Sequence, residues 1–410
     1  MSQARAEALL LVEADSGKVL HAENATYPWY PASITKLMTA YVTLRAVKEG
    51  RLSLDTLLTV SERALAQQPS KMGFPVGTRV TVDNALKMML VKSANDMAVV
   101  LAEGVSGSVE AFAEEMNKAS ARLGMTQSNW VNPNGLPAEM QITSARDMAI
   151  LARTLVREMP EYDLYWHIPA IKFGRRVMRN YNKLIDRYPG ADGMKTGFIC
   201  ASGYNLVASA TRNGRRLIAV VLGASSGKDR TETAAALLER GFSSGGGLSW
   251  LIPSLGTVDA LQPIAAEPPN LRDEICGKHR RARTDHASEE EDGSMREGDA
   301  RSAYASVLST RGIDKASLLV DLPPSMPPVV VSVIPPAGAP ADPDALLGAK
   351  KQKQKKGVAV RKGKDGRKSA VIEVKSGHGK PAAKKAPAAP QNRPAPAKTK
   401  GAAKSAAAAH

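Results

Sequence analysis

The 410 residues carry a net charge of +16, but 18 of the 56 Lys and Arg and only two of the 40 acidic residues fall from Lys350 onward. Residues 1–349 are therefore balanced at 38 of each sign, which excludes a uniformly basic folded surface and assigns the high pI to a tail. Two cysteines, Cys200 and Cys276, are too few for a disulfide framework or a multi-cysteine metal site, and no apolar run reaches the 18 residues of a membrane-spanning helix.

At the N-terminus, EALLLVEA and KVLHAENA flank Asp15-Ser16-Gly17, two extended runs around a turn, and predict a hairpin rather than a secretory signal. From Ile34 the residues Leu37, Met38, Tyr41, Leu44 and Val47 recur at helical spacing until Gly50, with Pro31 just ahead of the start. Further helices are predicted over DNALKMMLV, NDMAVVLAEGV, VEAFAEEMNKASARLG and SARDMAILARTLVREM, the last stopped by Pro160. After Tyr188-Pro189-Gly190 the pattern turns to strands, GMKTGFI, GYNLVASA and RRLIAVVLG, with Asn213-Gly214 as a hairpin turn, and a helix over TETAAALLERGF follows. Strands at both ends with helices between predict an α+β fold: one antiparallel sheet flanked by helices, a separate helical lobe, and a cleft between them.

Composition divides the chain into a core-bearing domain over residues 1–245, a Pro-rich and charged linker over 246–349 expected to be mostly disordered, and a Lys/Ala/Pro tail over 350–410. Only His21 and His167 fall in the domain, without ligand spacing, so no metal and no cofactor are expected.

The stretch YPASITKLMTAYV places Ser33 and Lys36 one helical turn apart, close enough for the lysine to reach the hydroxyl. A serine is a poor nucleophile until a neighbour takes its proton, and a lysine can do so when burial or a second cation lowers its proton affinity. Taken alone the pair is weak: a chain this long holds about one Ser-x-x-Lys by chance, Ser225 and Lys228 form another, and serine is a preferred helix cap. Two more motifs follow in order, KSAND with Ser93 and Asn95 at a break between helices, and GMKTGF with Lys195, Thr196 and Gly197 on a predicted strand.

The ordered set S-x-x-K, S-x-N and K-T-G resembles the penicillin-recognising serine acyltransferases, and YPASITKLMTAYV, LLVKSANDMAVVLAE, NPNGLP, YPGADGMKTGF and NLVASA are similar to their D-alanyl-D-alanine carboxypeptidase branch over about residues 6–242. That resemblance implies a β-lactamase/transpeptidase-like fold, with peptidoglycan stem peptides and β-lactams as partners and a periplasmic or cell-envelope location. It makes Ser33 the acylated nucleophile, Lys36 the general base, Ser93 the relay to the leaving amine and Asn95 the holder of the substrate amide. Lys195 and Thr196 would meet the terminal carboxylate beside Gly197, Arg230 would add charge there, and the backbone N–H groups of Ser33 and Phe198 would form the oxyanion hole. Phe198 and Ile199 stand where polar residues are common in that branch.

Cys200 reads as a small half-buried residue and NPNGLP as a structural turn. A class A β-lactamase would need a glutamate in an E-x-x-L-N motif, which the chain lacks. A nucleic-acid binder is the rival of another class, but the basic tail has no aromatics to stack bases, so an anionic envelope polymer or membrane surface is its expected partner.

Overall fold

The computed structural model describes residues 7–243, 255–277, 315–340 and 342–347. The chain divides into two units, Met1–Lys356 and Gly357–His410, and the second lies outside the described residues, as does the expected role of the tail.

A five-stranded antiparallel sheet runs in the order β2 (Val19–Glu23), β1 (Ala8–Glu13), β9 (Arg215–Ala224), β8 (Gly203–Arg212) and β7 (Ala191–Ile199). The N-terminal hairpin pairs with the last strand because β1 and β9 are near-continuous apolar runs, ALLLVE and RRLIAVVLGA, buried along almost their whole length. Such runs need cover on both faces, and helices α6 (Ala145–Glu158) and α8 (Gly227–Ser243) both pack on β8 and β9. Asn213 and Gly214, both at positive φ, make the tight turn between β8 and β9. Strand β7 is left as an edge.

The helical lobe contains α2 (Glu62–Ala66), α3 (Val82–Val91), α4 (Asn95–Ser106) and α5 (Val109–Leu123). Helix α1 (Lys36–Lys48) packs against α3, α4 and α5 on one side and α6 on the other, and the 3-10 turn before it, Ala32–Thr35, meets β7 and β8. The first turn of α1 therefore stands where lobe and sheet meet. Four helices are capped conventionally: Ser61, Thr81, Ser108 and Ser144 each accept from a backbone N–H three residues on. Helices α1 and α4 have no side-chain cap.

Three features differ from expectation. The first is the pair of cysteines: Cys200, fully buried at the end of β7, is disulfide-bonded to Cys276 in α9 (Arg272–Cys276). Spacing could not reveal one bridge across 76 residues. The second is the linker. Residues 255–277 and much of 315–347 lie ordered on the domain: Val329–Val330 pairs in parallel with β5 (Ala170–Phe173), Ile334 bridges to Arg79, Thr257 to Lys18, and the Leu271 N–H donates to the Ala201 carbonyl at 2.9 Å. These stretches are too proline-rich to fold on their own, yet they place Val258, Leu271, Ile275, Val331 and Leu346 in the core of the domain. The third is a set of small sheets, β3 (Leu57–Thr59) with β4 (Arg79–Thr81) and β5 with β6 (Arg176–Arg179), too short to leave a periodic signal. Among the described residues no helix is long and apolar enough to cross a membrane.

The Cys200–Cys276 bridge closes a long loop, which stabilises by about 2–5 kcal/mol. Cys276→Ser should lower the thermal midpoint by roughly 5–15 °C in calorimetry, and reductant should do the same to the natural chain but not to the variant.

Candidate active site

The turn that carries Ser33 is built by steric constraint. Ala32 has φ +48, unusual for a residue with a side chain. The Asn205 side-chain amide holds the turn from below, donating to the Tyr30 carbonyl at 2.9 Å and the Pro31 carbonyl at 3.1 Å while its oxygen accepts from the Gly223 N–H. Gly135 (φ +82) presses on it from the side, where a Cβ would overlap the Ala32 carbonyl. Gly197 closes the third side: a Cβ there would sit 2.9 Å from the Ser33 nitrogen and 3.0 Å from that of Ile34. The Ser33 nitrogen thus lies against the β7 backbone, and the Ser33 hydroxyl is not used as a helix cap.

Lys36 is fully buried, and its Nζ lies 2.8 Å from Ser33 Oγ, 2.7 Å from Asn95 Oδ1 and 2.8 Å from the Asn134 carbonyl. Asn95 Oδ1 and the Asn134 carbonyl can only accept, so they take two amine hydrogens and turn the remaining valence of Nζ toward the serine. In a neutral lysine that remaining valence is the lone pair.

Ser93 and Asn95 flank the uncapped start of α4, both buried, with Ser93 at φ +58. The Asn95 amide is spanned by protein at both ends, since its Nδ2 donates to the Gln68 carbonyl at 2.9 Å, so in this state it orients Lys36. Next to it, Asp96 is fully buried and accepts from the backbone N–H groups of Gly73 at 2.7 Å and Met72 at 3.1 Å. Burial pushes its carboxyl above the usual carboxylate range, against those N–H donors and Lys71.

On β7, Lys195 and Thr196 are both 1% exposed, and Lys195 Nζ donates to the Thr196 carbonyl at 3.0 Å. Gly197 and Phe198 pair with Asn205 and Tyr204 on β8, and the Phe198 ring packs on that of Tyr204 with centroids 4.3 Å apart. Arg230 of α8, 3% exposed, reaches the same place from behind the edge strand: it donates to the Asn205 carbonyl at 3.3 Å and lies 5.6 Å over the Tyr204 ring. The fold thus gathers Ser33, Lys36, Asn95 and Gly197 at bonding or van der Waals range, with Ser93 on the adjoining helix break, Lys195, Thr196 and Phe198 on the same strand, and Arg230 one strand further in. The second Ser-x-x-Lys is inert by contrast. Ser225 Oγ donates to Asp229, and Lys228, with its side chain 70% exposed, stands 3.9 Å from Glu232.

Sequence reading missed four contributors: Asn134, Gly135, Asn205 and Asp96. NPNGLP and NLVASA were legible as motifs, and SAND carried the aspartate in plain view. Nothing local says that the Asn134 carbonyl would meet Lys36 or that Asn205 would hold the serine turn, because those partners are 98 and 174 or more residues away.

A sheet-and-lobe cleft with a serine against a buried lysine defines the transpeptidase-like α+β class of serine enzymes. The chain belongs to the D-alanyl-D-alanine carboxypeptidase family (Peptidase S11), whose match covers residues 1–226. It is 38% identical over 247 residues to D-alanyl-D-alanine carboxypeptidase DacA of Haemophilus influenzae, covering 59% of this chain and 63% of that protein. With DacF of Bacillus subtilis it shares 36% identity, covering 58% and 62%. The chain thus spans about three fifths of the length of these curated relatives. Among solved structures, penicillin binding protein 5 of H. influenzae superposes with a TM-score of 0.56 at 37% identity, over 59% of this chain and 72% of that one. Penicillin-binding protein D2 of Listeria monocytogenes, in its ampicillin-bound form, gives 0.51 at 29%, over 57% and 96%.

Asp96→Ala would strand the backbone N–H groups of Met72, Gly73 and Met97 and loosen the loop that supports Asn95. Chemical denaturation should register a loss of about 3 kcal/mol, with Asp96→Asn retaining part of it.

Proposed function

We propose that the protein is a serine-type D-Ala-D-Ala carboxypeptidase that removes the terminal D-alanine of peptidoglycan stem peptides through an acyl-enzyme on Ser33. The observation that carries the proposal is the placement of Lys36 Nζ, held by Asn95 Oδ1 and the Asn134 carbonyl 2.8 Å from Ser33 Oγ. In this reading Lys36 takes the hydroxyl proton as Ser33 attacks the penultimate carbonyl. The oxyanion is met in this reading by the backbone N–H groups of Ser33 and Phe198. Collapse expels D-alanine, with Ser93 returning the proton to its amine, and water then releases the shortened peptide. Lys195 and Thr196, with Arg230 behind them, suit a free terminal carboxylate, while Gly197 lets an extended peptide lie along the edge strand β7. The same serine would be acylated by β-lactams.

A buried disulfide supports an oxidising compartment, in keeping with a periplasmic or cell-envelope location. The basic stretch from Lys350, outside the described residues, is proposed as an electrostatic tether to an anionic envelope polymer or membrane surface. Its binding to purified cell walls should weaken steeply between low and high salt.

Intact mass measured after incubation with benzylpenicillin should show one adduct on Ser33, absent from Ser33→Ala. Lys36→Ala should slow acylation by about 10²–10⁴-fold, and Lys228→Ala should not. On Nα-acetylated peptides ending in D-Ala-D-Ala, amidation of the terminal carboxylate should sharply reduce hydrolysis; equal rates would reject the proposed polarity of the cleft.

A further inference from the structure

The small sheet formed by Val329–Val330, β5 and β6 turns one face to the core and the other to solvent. Ile171 and Phe173 point inward and are buried. On the outward row, Lys172 pairs with Val330 on one side and with Val177 on the other, so a lysine stands between two valines that are 71% and 50% exposed. A sheet face that meets only water carries polar residues at such positions. The hairpin is also strongly basic: four of the eight residues Lys172–Arg179 are Lys or Arg and none is acidic, in a chain whose residues 1–349 are balanced in charge. All four are exposed. Arg175 and Arg176 share Asp344, while Lys172 and Arg179 make no ion pair among the described residues.

Asp344 also locates the root of the basic tail. It belongs to a short helix, Pro343–Leu346, and its carboxylate accepts from Arg175 Nε at 2.8 Å, while Pro343 and Asp344 lie close against the Gly174 turn. The described chain ends at Leu347, and the sequence enters KKQKQKK at Lys350. Three residues span at most about 11 Å, so the basic stretch starts beside the basic hairpin. We propose that the outer face of this sheet docks on an anionic lipid bilayer, with Lys172, Arg175, Arg176 and Arg179 at the headgroups and Val177 and Val330 entering the interfacial layer. Cations on apolar stems next to exposed aliphatic side chains suit that layer, where charge meets phosphate and methyl groups leave water within a few ångströms of each other. A soluble polyanion would satisfy the charges and leave both valines in water, so the valines select the bilayer. A tether alone leaves the domain free to turn, whereas a docked sheet fixes its orientation, whatever reaction Ser33 carries out.

The test uses the full chain and vesicles of phosphatidylcholine with and without phosphatidylglycerol. The two natural cysteines are bonded to each other, so Val177→Cys offers the one free thiol to an environment-sensitive fluorophore. At low salt its emission should shift to the blue on vesicles that contain phosphatidylglycerol, and not on phosphatidylcholine alone or on polyphosphate. The same fluorophore on Glu114→Cys, an exposed position of α5, should not shift. In co-sedimentation, Lys172→Gln combined with Arg179→Gln should weaken binding by about 10–25-fold and Val330→Ser by about threefold, with thermal midpoints unchanged. A shift at neither position while the chain still sediments would leave the tail as the contact and overturn the docking face, as would equal shifts at both positions or undiminished sedimentation of the double variant. A shift on polyphosphate equal to that on vesicles would make the face a polyanion site and overturn the lipid assignment. Failure of the natural chain to bind phosphatidylglycerol vesicles would overturn the docking face outright.

Discussion

A fully buried lysine amine is the constraint around which this site is arranged. Lys36 could not stay there unless its hydrogens were taken, and the acceptors come from far apart in the chain: Asn95 at the start of α4 and the Asn134 carbonyl in the loop before α6. Each acceptor has supports of its own. Asn95 is held by the Gln68 carbonyl, the loop that supplies Gln68 is tied by Asp96, and Asn134 Nδ2 donates to Gln67 Oε1 at 2.8 Å. Desolvation of one amine therefore orders three loops of the helical lobe, and the hydroxyl of Ser33 receives what valence is left.

The serine turn obeys the complementary constraint of close approach. Three groups converge on the turn from Tyr30 to Ile34, the Asn205 side-chain amide and two backbones at which only glycine leaves room, Gly135 and Gly197. Helix α1 thereby locks lobe to sheet at its first turn. The missing helix caps belong to the same design, because a serine that capped α1 would have given its hydroxyl to a backbone N–H and lost its orientation toward Lys36.

The edge position of β7 links fold to substrate. Strand β8 pairs with one side of its backbone and no described strand pairs with the other, which in the proposed reading receives an extended peptide as a further strand. Past the end of that strand, the Cys200–Cys276 bridge and the Leu271–Ala201 hydrogen bond hold the β7–β8 turn, so a segment that resembles linker in composition fixes the end of the edge strand.

Local chemistry in the sequence was sufficient for the hairpin, the six longer helices and the last three strands, and it singled out Ser33, Lys36, Ser93, Asn95 and Lys195 as the candidate site. Periodicity reports which face of an element is buried, and ordered short motifs report chemistry that depends on spacing within one turn or one strand. The tertiary structure alone decided that NPNGLP supplies a ligand for Lys36, that Asn205 carries the serine turn, that Cys200 and Cys276 are bonded, and that proline-rich stretches after residue 255 pack on the domain. The first three depend on groups brought together across 76 to more than 170 residues. No local pattern encodes such pairings; they arise only when burial of the common core has set the elements against one another.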